Sequence, residues 1–160
     1  MRRFPLLSVF AMMLASSACG SSGTSTVDPN LGGFLTNGTF KATINGTAWS
    51  PIGAVVVSRV SGSLSMLASS TTYAMTIVVL NASAGTFSLN ASPSNGSHAS
   101  VSSVGQSGWN TGNTGGVGSV VITTLTSNHA VGTFSFDAPA SGASTPATLH
   151  VTSGTFDITY

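Results

Sequence analysis

Phe40-Lys41-Ala42-Thr43-Ile44-Asn45-Gly46-Thr47-Ala48-Trp49 is the stretch that decides the fold class. Asn45-Gly46 is the preferred two-residue hairpin turn, because both of its central positions need positive φ and these two residues tolerate it. A turn closed there sets Ile44 opposite Thr47 and Ala42 opposite Trp49. The same register places Phe40, Ala42, Ile44, Thr47 and Trp49 on one face, with Lys41, Thr43, Ala48 and Ser50 on the other. Turn chemistry and face sorting agree, so the segment reads as a β-hairpin with one buried face.

Further short blocks rich in β-branched residues follow, punctuated by turns. Strands are expected over 54–60, 64–68, 73–80, 85–90, 98–104, Val117–Leu125, 130–138 and 149–160. The block 73–80 is apolar on both parities, as a strand covered on both faces would be. Ser92-Pro93-Ser94-Asn95-Gly96-Ser97 reads as a turn-rich loop. In the last block Leu149 and Val151 have odd parity, whereas Phe156, Ile158 and Tyr160 have even parity. A β-bulge near Ser153-Gly154 brings both sets to one face. Helix formers are scarce, and Glu is absent altogether. About ten short strands in one region predict an all-β fold, an antiparallel β-sandwich or flattened barrel. Gly-Thr-Phe recurs at 38–40, 85–87, 132–134 and 154–156. It reads as strand grammar, with Gly leaving a turn, Thr facing solvent and Phe entering the core.

The chain begins differently. Arg2 and Arg3 precede an apolar run, 6–14, which is followed by Ala15-Ser16-Ser17-Ala18 and then Cys19. A positive start, an apolar middle and small residues before a cut describe a secretory signal peptide. The run is far short of the ~20 residues that span a bilayer. Cysteine at the cut resembles the lipobox of bacterial lipoproteins, in which that thiol is lipid-modified and becomes N-terminal. The lipobox pattern has Leu three residues before the cysteine, where this chain has Ser16. Ser16-x-Ala18 also suits an ordinary signal peptidase, which would give simple secretion. Cys19 is the only cysteine, so no intrachain disulfide explains it. The stretch Gly20-Ser21-Ser22-Gly23-Thr24-Ser25-Thr26 suits a flexible tether. The expected organisation is a signal peptide over 1–18, a lipidated cysteine and tether over 19–37, and one β-sandwich domain over 38–160.

Only 4% of residues are charged. After residue 18, Lys41 and Arg59 stand against Asp28, Asp137 and Asp157, a side-chain sum of −1. Such a chain has no basic patch, and nucleic acid is excluded as an expected partner.

The chain resembles an uncharacterised family of small bacterial lipoproteins. The likeness rests on Ala42-Thr43-Ile44-Asn45-Gly46-Thr47-Ala48-Trp49, on Gly118 through Thr123, on Val131 through Phe136, and on Val151-Thr152-Ser153-Gly154-Thr155-Phe156. The resemblance implies an all-β domain at the cell envelope, with the outer membrane as the expected site. It carries no catalytic residue across.

Proton-exchanging groups are few. Asp137 and Asp157 become neighbours if the last two strands pair, which would suit glycoside hydrolysis; the alternative is that both face solvent. His98, His129 and His150 lack short ligand spacing, so no metal and no cofactor is expected. His129 is expected in a surface turn and His150 on an outward face. Nucleophile elbows and phosphate-binding loops are missing. The long connection 106–116 offers Trp109 beside Asn110 and Asn113, a composition suited to stacking on a sugar and bonding its hydroxyls. The alternative is that Trp109 folds back over one end of the sandwich. The expected function is therefore a tethered, non-catalytic structural, adhesive, glycan- or protein-binding envelope module. A carrier of a small apolar ligand, lined by 54–60 and 73–80, is the other reading, and a hydrolase using the two aspartates the third.

Overall fold

The computed structural model describes residues 34–35, 37–90, 96–144 and 146–160. The expected signal peptide, Cys19 and most of the expected tether lie outside the described residues, as do positions 92–95 of the expected turn-rich loop. The described residues form twelve strands and no helix. They are β1 (Phe34–Leu35), β2 (Asn37–Ile44), β3 (Thr47–Trp49), β4 (Val56–Val60), β5 (Ser63–Ser69) and β6 (Ala74–Val79). Then come β7 (Gly85–Ser88), β8 (His98–Ser102), β9 (Trp109–Asn110), β10 (Val117–Leu125), β11 (His129–Pro139) and β12 (Thr148–Thr159).

All pairings are antiparallel. They build two six-stranded sheets, ordered β1-β4-β5-β6-β8-β9 and β3-β2-β12-β11-β10-β7. The sheets pack as a sandwich, with one core between their inner faces. The opening hairpin forms in the expected register, Ile44 against Thr47 and Ala42 against Trp49. Its turn uses φ of 48° at Asn45 and 82° at Gly46. Phe40, Ala42, Ile44 and Trp49 are buried, while Thr47, beside the turn, is exposed.

The expected bulge is also present. Two residues of β12, Thr152 and Ser153, stand opposite the single Ser135 of β11. Ser153 takes a left-handed φ of 52°, and Leu149, Val151, Phe156 and Ile158 all reach the core.

Four expectations change. Pairing begins at β1, ahead of the boundary expected at 38, because Phe34 and Leu35 complete the edge beside β4. A twelfth strand, β9, forms inside the expected 106–116 loop. His129 opens β11 rather than sitting in a turn, since Thr159 extends far enough to pair with it. β6 buries only Met75, Ile77 and Val79 fully; its other parity faces outward and is half-covered.

Candidate functional site

Asp137 and Asp157 do lie on paired strands, yet not together. Asp137 stands opposite His150, whereas Asp157 stands opposite Val131, six positions away along β11. At about 3.4 Å per residue that separates them by roughly 20 Å, beyond the ~5–10 Å that paired catalytic carboxylates use. Each aspartate is instead bonded to a histidine. His150 Nδ1 lies 2.7 Å from Asp137 Oδ1, and His129 Nε2 lies 2.7 Å from Asp157 Oδ1. Both pairs are exposed cross-strand contacts near opposite ends of the β11–β12 ladder. Among the described residues, no three metal-ligating side chains come together.

Most of the 106–116 segment is fastened down. Trp109 is only 2% exposed, and its indole Nε1 donates to the Pro146 carbonyl at 2.7 Å. The ring is therefore part of the core and offers no stacking face, which corrects its expected role. Asn110 Oδ1 accepts the Gly112 amide at 2.6 Å. Asn113 Nδ2 donates to the Pro139 carbonyl at 2.8 Å and to Ser141 Oγ at 3.1 Å. Thr111, fully buried, accepts the Ala99 amide through Oγ1 while its own amide donates to the Ala99 carbonyl. Of the two amides that suggested sugar binding, Asn113 ties the loop to the end of β11 and Asn110 closes the loop's own turn.

A carrier cavity would have to open between the sheets. There Val57, Leu64, Met66, Met75, Ile77 and Val79 of the first sheet are fully buried. They face Phe40, Phe134 and Phe156 of the second, with Phe40 and Phe134 ring centroids 5.1 Å apart. The segments 54–60 and 73–80, offered as cavity lining, supply this packed core.

Trp109 nevertheless points to a site that composition alone did not mark. Its ring meets Tyr73 edge-on, with centroids 6.2 Å apart, and Tyr73 is half-exposed where Trp109 is not. Tyr73 closes the turn between β5 and β6. Ser70 organises that turn: its Oγ accepts the amides of Thr72 and Tyr73 at 3.2 and 3.1 Å, and it also accepts Trp49 Nε1 at 2.9 Å. Trp49 ends β3 of the second sheet and Ser70 directly follows β5 of the first, so the contact ties the two sheets beside Tyr73.

Tyr73 and Thr72 are shared by two shallow depressions. One, of about 330 Å³, runs toward Asn45, Thr47 and Trp49. The other, of about 300 Å³, runs toward Ser102, Ser103 and Val104. Val104 is 94% exposed, and Ile52, whose amide donates to the Ser69 carbonyl nearby, is 68% exposed. Among the described residues, no charged side chain lines either depression. Sequence reasoning passed over Tyr73; the available signal was an aromatic residue directly after the hydroxyl run Ser69-Ser70-Thr71-Thr72.

A family model for a domain of unknown function, DUF6252, matches residues 36–158. No curated protein and no solved structure matches the chain.

Proposed function

This chain belongs to the family of the domain of unknown function DUF6252, and from that premise we propose that it is a lipid-tethered, non-catalytic binding module of the bacterial cell envelope. The tether is Cys19, the only cysteine, placed after Arg2, Arg3, an apolar run and small residues, and followed by a Gly/Ser/Thr stretch. Acyl chains on that thiol contribute about 0.8 kcal/mol per buried methylene, and two or more chains hold stably.

The observation that carries the binding role is the placement of the Tyr73 depressions. β2 opens at Asn37, beside Thr159, and ends at Ile44, beside the depression that Asn45 and Tyr73 line. Its eight residues span about 25 Å. A domain held from the Asn37 side presents Tyr73 at its far end, away from the attachment. The two aspartates, each bonded to a histidine and far apart, support a role that does not depend on catalysis.

Fractionation and mass spectrometry test the tether. The expected result is an acylated Cys19 at the mature N-terminus and a Cys19→Ser protein that leaves the membrane fraction. An unmodified N-terminus, or a Cys19→Ser protein that stays with membranes, sinks the proposal.

A further inference from the structure

We propose that the saddle at Tyr73 is a binding site for a neutral oligosaccharide, with one sugar in each of the two flanking depressions; the inference rests on the reading of the chain as a binding module. Each depression, at about 300 and 330 Å³, sits at the small end of ligand sites, which run from roughly 300 to 1,000 Å³. Sharing Thr72 and Tyr73 between them makes the pair one continuous surface with two subsites.

The chemistry of the rim selects the ligand. A sugar presents C–H faces bordered by hydroxyls. Tyr73 offers a half-exposed ring with a polar tip, the combination that suits such a ligand, and its hydroxyl has no hydrogen-bond partner among the described residues. The hydroxyls of Thr47, Thr71, Thr72, Ser102 and Ser103 line the two depressions and are likewise unengaged among the described residues. Val104 adds an apolar contact at the edge. An ionic ligand would lose hydration there and find no charged partner among the described residues, so a neutral one is favoured.

The saddle is also rigid before anything binds. Trp109 supports the Tyr73 ring from below, and Ser70 fixes the backbone on both sides of Thr72. Preorganisation of this kind lowers the ordering cost of binding.

The test titrates the full-length chain in detergent with cello-, malto- and chito-oligosaccharides of one to six units, by calorimetry and by fluorescence of Trp49 and Trp109. Saturable binding of a neutral series is expected, strengthening at least tenfold from one unit to two. Tyr73→Ala should weaken it tenfold or more, and Tyr73→Phe two- to fivefold. Should Tyr73→Ala melt early, Tyr73→Phe and Val104→Glu, the latter at a fully solvent-facing position, carry the test, with Val104→Glu expected to weaken binding at least threefold. No binding to any neutral series overturns the inference, as does binding that both variants leave unchanged, or an envelope protein captured through Tyr73 without any sugar. The tether is read separately from Cys19→Ser fractionation, so either proposal can fail while the other stands.

Discussion

Gly132 and Gly154 each lie beneath a phenylalanine of the neighbouring strand. In the β11–β12 ladder Gly132 stands opposite Phe156 and Phe134 opposite Gly154, with Thr133 against Thr155 between them. Two copies of Gly-Thr-Phe thus cover one another, each ring lying over the other strand's missing side chain. The sequence reading of these glycines as residues leaving a turn does not hold here, because both are in mid-strand; spacing along a chain cannot say which strand supplies the ring overhead. A Cβ on Gly154 would overlap the Phe134 ring. Gly154→Ala should therefore cost about 1–3 kcal/mol through overpacking, seen as a lower denaturation midpoint. Thr155 shows the opposite case. Its Oγ1 is buried with no hydrogen-bond partner among the described residues, so replacing it with an apolar group of the same shape removes a desolvated hydroxyl. Thr155→Val is expected to raise stability by about 1 kcal/mol in chemical denaturation. Ser70→Ala should lower it by about 1–3 kcal/mol, since Trp49 Nε1 and two turn amides lose their acceptor.

At the scale of elements, the long strands sit inside and the short ones at the rims. β11 and β12, of 11 and 12 residues, are central in their sheet. The four edges are β1, β9, β3 and β7, of 2, 2, 3 and 4 residues. Short edges limit the unpaired N–H and C=O groups open to another chain. The bulge in β12 was legible because its apolar residues change parity between Val151 and Phe156, and only an inserted residue reconciles them with one core. Its left-handed φ falls on Ser153, and left-handed backbone costs a residue with a Cβ roughly 1–2 kcal/mol. A β-branched residue fits it worse still, so Ser153→Val should destabilise measurably while Ser153→Gly does not, on paired melting curves. β9 was not legible. Its two residues carry no periodicity, and they are held by Trp109, whose Nε1 reaches Pro146 from 37 positions away. Trp109→Phe loses that bond, unpairs the Pro146 carbonyl and leaves a cavity in the core, with an expected loss of about 2–4 kcal/mol in chemical denaturation.

For the whole molecule, the sandwich is fastened near both ends as well as through its core. Trp49 to Ser70 joins the sheets beside Tyr73. Away from it, Arg59 in β4 and the Tyr160 hydroxyl both donate to the Thr126 carbonyl in the β10–β11 turn. The chain crosses between the sheets repeatedly, so neither sheet is a continuous piece of sequence. Cooperative unfolding is expected, with tryptophan fluorescence and far-ultraviolet circular dichroism giving the same midpoint; two separated transitions would show that the sheets unfold independently. What the sequence determined by itself was local: the hairpin register, the buried faces of the alternating strands, the bulge and the all-β class, though not the half-open outer face of β6. These follow from positive φ at Asn45-Gly46 and from alternation with a period of two, both set within a few residues. The tertiary structure alone decided which polar and aromatic groups stay at the surface. Trp109 became internal with its Nε1 bonded to the Pro146 carbonyl, while half-exposed Asn113 is tied to the Pro139 carbonyl and half-exposed Asn110 closes its own turn through the Gly112 amide. Tyr73 stays half-exposed because its ring rests edge-on against buried Trp109, and contacts between residues so far apart in the chain are fixed only when the two sheets close on one core.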